Sequence, residues 1–68
     1  MSNKVFKQIK VTGCSDKSYE EAVRAAIEKA GETVDNQSWF EVTDLRGAIA
    51  DGKPSEWQAT VVIGFKVN

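Results

Sequence analysis

Few residues in this chain could do chemistry, and the one that stands out is Trp39, within Ser38-Trp39-Phe40-Glu41-Val42. A tryptophan at the mouth of a strand either fills a core or offers a ligand a flat, rigid face. Cys14 is the single cysteine and no histidine exists to activate it, so it is read as an inert thiol. The same shortage rules out the usual zinc sets, and the carboxylates lack the spacing of a calcium loop, so no metal site is expected. Glu20, Glu21 and Glu28 read as a wet helix face and not as a paired-carboxylate site. Nothing resembles a glycine-rich phosphate loop, which argues for a protein that binds rather than an enzyme.

At 68 residues the chain is expected to be a single domain, residues 1–68. A chain this short buries little of its surface and commonly needs disulfides, a metal or partner subunits. The first two are excluded by composition, which leaves self-association. Nine Lys plus Arg against ten Asp plus Glu, interleaved, give a net charge of −1 with no basic stripe, so no nucleic-acid partner is expected. The opening MSNKVFKQIK lacks an apolar signal core and no apolar run could span a bilayer. These features, with the lone thiol, lead to the expectation of a soluble cytoplasmic protein with no membrane partner.

The pattern of apolar residues predicts strand, helix, strand, strand. Val5–Val11 reads as a first strand and the following Thr-Gly-Cys-Ser-Asp-Lys-Ser as a turn. Ser18 with Glu21 reads as a capping box that starts a helix at Tyr19. Tyr19, Ala22, Val23, Ala26, Ile27 and Ala30 form one apolar stripe, and the helix should end between Gly31 and Asp35. Trp39–Ile49 and Trp57–Val67 read as two long strands of a hairpin at Asp51-Gly52, loosened into a longer connection by Lys53-Pro54-Ser55. Trp57, Ala59, Val61, Ile63, Phe65 and Val67 should face the helix. In the middle strand Phe40 and Val42 differ in parity from Leu45 and Ile49, which predicts a β-bulge near Thr43 or Asp44.

One helix cannot cover a sheet with arms this long, so a face carrying Val62 and Phe6 is left for a second copy to cover. A hairpin closing near Ile49 and Glu56 places Arg46 near Gln58 and Trp39 near Lys66. Trp39 and Gln58 then stand on the order of 20 Å apart, so a small ligand touching both needs two subunits.

The stretches VFKQIKVTGCS, WFEVTDLRGAI and WQATVVIGFKV together resemble the dodecins over nearly the whole chain. The resemblance rests on the mutual spacing of Trp39-Phe40-Glu41-Val42, Arg46-Gly47, Trp57-Gln58 and Gly64-Phe65. It implies an α+β, β-α-β-β protomer whose three-stranded antiparallel sheet wraps partly around one amphipathic helix, assembled into a hollow dodecamer. It further implies flavin storage: isoalloxazine rings stacked between Trp39 residues of neighbouring subunits, Gln58 hydrogen-bonded to the polar ring edge, and no turnover. An amide carries both a donor and an acceptor, as that edge requires.

Two cations complete the implied site. Arg46 matches an arginine that holds a phosphate in some members, and the alternative is an ion pair with Glu41, Asp44 or Glu56. Lys66 stands where others carry arginine and supplies a point charge without the bidentate fork. Riboflavin and lumichrome therefore stand beside FMN as candidate ligands, with coenzyme A as a further candidate. The competing reading is a structural self-assembling module with Trp39 buried at an interface and no flavin.

Overall fold

The computed structural model describes residues 3–67. Strand β1 (Val5–Ser15), helix α1 (Tyr19–Ala30) and strands β2 (Gln37–Ala50) and β3 (Lys53–Val67) follow in that order. β3 lies in the centre of an antiparallel three-stranded sheet ordered β1-β3-β2. The molecule measures 57 × 20 × 13 Å, an elongated blade and not a sphere. Among the described residues no helix is long and apolar enough to cross a membrane.

β1 runs four residues beyond the expected strand, because Thr12 to Ser15 continue the ladder opposite Thr60 to Trp57. The Thr12 and Thr60 hydroxyls are bonded at 2.8 Å, which satisfies two polar groups at that row. Gly13 permits the extension: a Cβ there would overlap the carbonyl oxygen of Ala22 and lie 3.0 Å from the Ala26 Cβ. The turn composition of this segment thus serves close helix approach instead of chain reversal.

The helix starts at Tyr19 as the capping residues predict. Ser18 Oγ accepts from the Glu21 backbone N–H at 3.1 Å, and the Ser18 N–H itself turns to Ser15 Oγ. The helix ends at Ala30, and Gly31 keeps right-handed backbone angles, with Thr33 and Val34 amides continuing one turn onto the Ala30 carbonyl. Asn36, with φ 65°, makes the left-handed turn into β2.

The hairpin is tighter than its sequence implies. Asp51 and Gly52 both take positive φ, 54° and 74°, the pair required by a two-residue type I′ turn. Lys53 and Pro54 already pair with Ala50 and Ile49, and Ser55 is the extra residue of a bulge. Pro54 is tolerated because it lies beside that irregularity. A second bulge at Thr43, on the opposite strand, falls where the parity change demands it, and its hydroxyl bonds the Thr60 carbonyl.

Ala26 and Ala30 pack small buried side chains against Val61 and Ile63, with Ile9, Val11, Val23 and Ile27 around them, and Ala22 and Ala59 are buried as well. Trp57 packs edge-on against Tyr19, centroids 5.0 Å apart, so it belongs to the helix side as its parity predicts. Phe65 on the same side is only half-buried and Val67 is exposed. The helix packs on β1 and β3, while Phe40, Val42, Leu45 and Ile49 of β2 remain exposed.

Gly13→Ala should therefore force α1 away from β1, at a cost of roughly 1–3 kcal/mol per protomer for an overpacked contact. The check is a fall in thermal midpoint of several degrees at fixed protein concentration.

Candidate ligand-binding site

The candidate residues lie on the sheet face turned away from the helix. Gly64 alternates with the core residue Ile63, so whatever covers Gly64 is on the outer face. The Trp39 indole covers it so closely that a Cβ on Gly64 would overlap the six-membered part of the ring. Phe6, opposite Lys66 on β1, closes one side with its centroid 6.2 Å from that of Trp39 and the rings tilted by 57°. One indole face therefore rests on the backbone of the central strand, and the residue is still 39% exposed. A flat aromatic ring is held rigidly and left open.

Trp39 is opposite Gly64, not opposite Lys66 as a uniform register implies. The reason is the Thr43 bulge together with a hairpin register in which Ala48, and not Ile49, stands opposite Glu56. Lys66 is exposed and lies diagonally from Trp39 on the outer face, with its backbone N–H bonded to the Asn36 carbonyl at 3.1 Å.

Six residues along β3 is the second address. Cys14, Gln58 and Arg46 stand abreast on β1, β3 and β2. The Gln58 amide donates from Nε2 to Glu56 Oε1 at 2.7 Å, both residues half-buried. Arg46 donates from Nε to Asp44 Oδ2 at 3.0 Å and adds a second bond from its terminal nitrogen to the same oxygen. Of the three carboxylates considered for Arg46, the structure selects Asp44. This guanidinium draws the Asp44 carboxyl below its ordinary value, through the hydrogen bond first and charge second, and Asp44 in turn holds Arg46 more firmly protonated.

Gly64 and Gln58 are separated by six strand steps, about 20 Å. The structure thus keeps Trp39 and Gln58 on one face but does not bring them together within one chain. A hollow of about 240 Å³ lined by Ile27, Gln37, Ser38, Trp39, Phe40 and Ile63 lies at the β2 entry beside the helix, and Gln58 is not part of its lining.

With this geometry in view, comparison with known proteins is decisive. The dodecin family model matches residues 5–68. The chain belongs to the dodecin family. The dodecin of Thermus thermophilus is 34% identical over 64 residues, covering 94% of this chain and 93% of that protein. The structure of dodecin from Streptomyces coelicolor superposes with a TM-score of 0.94 at 38% identity, covering 100% of this chain and 97% of that one. Dodecin from Streptomyces davaonensis gives 0.93 at 34% identity, with 98% of each chain covered. Family membership makes this a small flavin-binding protein of β-α-β-β architecture.

Three residues of the dodecin outer face escape sequence reasoning as supports of the site. Phe6 was legible only as one parity of β1, Gly64 only as part of a motif, and Glu56 only as a candidate partner for Arg46. Counting the Thr43 bulge together with the tighter closure of the hairpin, Ala48 opposite Glu56, is what brings Gly64 under Trp39.

Two outcomes follow from this arrangement. In a Trp57→Phe background, Gly64→Ala should lift the indole off the sheet and shift the emission of Trp39 toward that of a fully solvated tryptophan. For the ion pair the sign is set by a lowered carboxyl: whatever it contributes is complete above the ordinary value and lost as pH falls through the depressed one. Carboxyl NMR should accordingly place the Asp44 midpoint below 3.8, and Arg46→Gln should return it upward. Both groups are exposed, so global stability should barely change.

Proposed function

We propose that this dodecin sequesters flavin in a homo-oligomeric shell, expected to be a dodecamer, with the isoalloxazine ring stacked on Trp39 and shared between subunits. The carrying observation is the open indole face of Trp39, braced over Gly64 by Phe6. Aromatic stacking contributes about 1–3 kcal/mol per ring in comparable settings, and a ring between two copies of Trp39 collects it on both faces. Gln58 stands on the same sheet face about 20 Å away, so a neighbouring protomer supplies the amide that meets the polar edge of the ring.

Self-association has its own support. Phe40, Val42, Leu45 and Ile49 form an apolar row on β2 that the helix leaves uncovered, Ile49 being 78% exposed. Monomers seldom keep such a row in water. The same row favours the second reading, a self-assembling module without ligand, but that reading gives no reason for an indole braced outward on the other face.

The ligand we favour is an unphosphorylated flavin, riboflavin or lumichrome. Two of the five N–H donors of Arg46 already go to Asp44, so an FMN phosphate or a coenzyme A phosphate has to share the guanidinium with a carboxylate of the same chain. Lys66 offers a single point charge beside Trp39. Close stacking on an electron-rich indole also quenches the flavin excited state, so the function is storage with protection from light, without catalysis. The cytoplasm, where flavins are used and a lone thiol stays reduced, is the compartment this reading implies.

Titrating riboflavin into apoprotein should extinguish its fluorescence at stoichiometric ring-to-site ratios. Trp39→Ala should weaken binding by at least tenfold and leave most of the emission, while Gln58→Ala should weaken it severalfold with quenching retained in the bound fraction. Undiminished emission with saturating wild-type protein would sink the flavin reading and leave the self-assembling module.

A further inference from the structure

Glu56 is the residue of the outer face whose partner matters most to what Gln58 can offer. It lies two residues before Gln58 on β3, on the same face, and its carboxylate accepts the Gln58 Nε2–H at 2.7 Å. A carboxylate can only accept, whereas an amide has a donating end and an accepting end. The contact therefore decides which way round the Gln58 amide sits: nitrogen toward Glu56, carbonyl turned away from it.

The surroundings leave Glu56 free for this task. β1 ends opposite Trp57, so no β1 residue stands across from Glu56, and its β2 neighbour is Ala48. The nearest cation on the row of Gln58 is Arg46, which is held by Asp44 through two of its nitrogens. Among the described residues Glu56 makes no ion pair, and the Gln58 amide is its one side-chain partner. Cys14, on the other side of Gln58, is a weak donor that cannot override a charged acceptor.

We infer that Glu56 is a positioning residue for ligand recognition: it locks the Gln58 amide so that a carbonyl, with one N–H beside it, faces the ligand edge. The chemical class selected is a cyclic imide edge, in which a ring N–H flanked by carbonyls meets an oriented amide. A free amide at this position would spend part of its time reversed, presenting two donors to a donor. The inference rests on the flavin reading of the same site, and it adds a reason for recognising the edge and not merely the flat ring.

The test measures riboflavin affinity by fluorescence quenching for wild type, Glu56→Gln, Glu56→Ala and Glu56→Lys, each first shown by sedimentation to keep the wild-type mass. Glu56→Gln retains an accepting oxygen and should bind within about threefold of wild type. Glu56→Ala frees the amide and should bind roughly fivefold more weakly. Glu56→Lys replaces the acceptor with a pure donor, reverses the amide and should bind more than tenfold more weakly, with quenching of the bound fraction unchanged because Trp39 is untouched. In parallel, the two side-chain amide protons of Gln58, followed by NMR without ligand, should be widely split in wild type and collapse together in Glu56→Ala. Wild-type binding with equal binding by Glu56→Lys, or Gln58 protons unmoved by Glu56→Ala, overturns the positioning role alone. Failure of the wild type itself to quench riboflavin removes the flavin reading and this inference with it.

Discussion

The constraint on which the rest depends is a mismatch of length between helix and sheet. Twelve helical residues rise about 18 Å, whereas a fifteen-residue strand runs about 50 Å. The helix can therefore bury only part of one face, and small alanines at every fourth position bring it close where it does. Everything beyond that contact, the apolar row of β2 and the whole outer face, is surface that a single copy cannot hide. A stable protein of this size needs that surface covered, and coverage by identical copies turns stability and site construction into one problem.

The same mismatch explains why the proposed ligand residues are split. Long strands spread Trp39 and Gln58 toward opposite ends of the outer face, and no loop is long enough to fold one back on the other. Within one chain they are two half-sites. Between copies related by symmetry the separation becomes useful, because each contact zone can take its ring platform from one copy and its polar edge from another. The proposed shared site would form only on assembly, and an unassembled protomer would bind weakly.

Much of the fold was legible because each element carries its own period. The capping serine, the alanine stripe and the alternation along β3 predicted helix and strand where they are found, and the parity break in β2 located its bulge at Thr43. What misled was local composition overruled by tertiary pairing. Thr12 to Ser15 look like a turn but are recruited into the ladder by β3, and Lys53 to Ser55 look like a loop but extend the hairpin. The candidate site was legible as residue types, and the family resemblance named Trp39 and Gln58. Its supports were hidden, since the place of Gly64 under Trp39 depends on register shifts whose sum no single motif reveals.

The distribution of charge on the outer face bears on which flavin such a site would keep. Each polar group near the edge address is already answered within the chain: Arg46 by Asp44, Gln58 by Glu56. Pairing of this sort holds side chains still, so little ordering entropy remains to be lost when a neutral ring arrives. It works against an anion, because a phosphate has to share the guanidinium with Asp44 and sit beside two carboxylates. On the proposed flavin reading, preorganisation and preference for an uncharged ring are consequences of the same two hydrogen-bonded pairs, with Trp39 supplying the attraction and the carboxylates setting what it attracts.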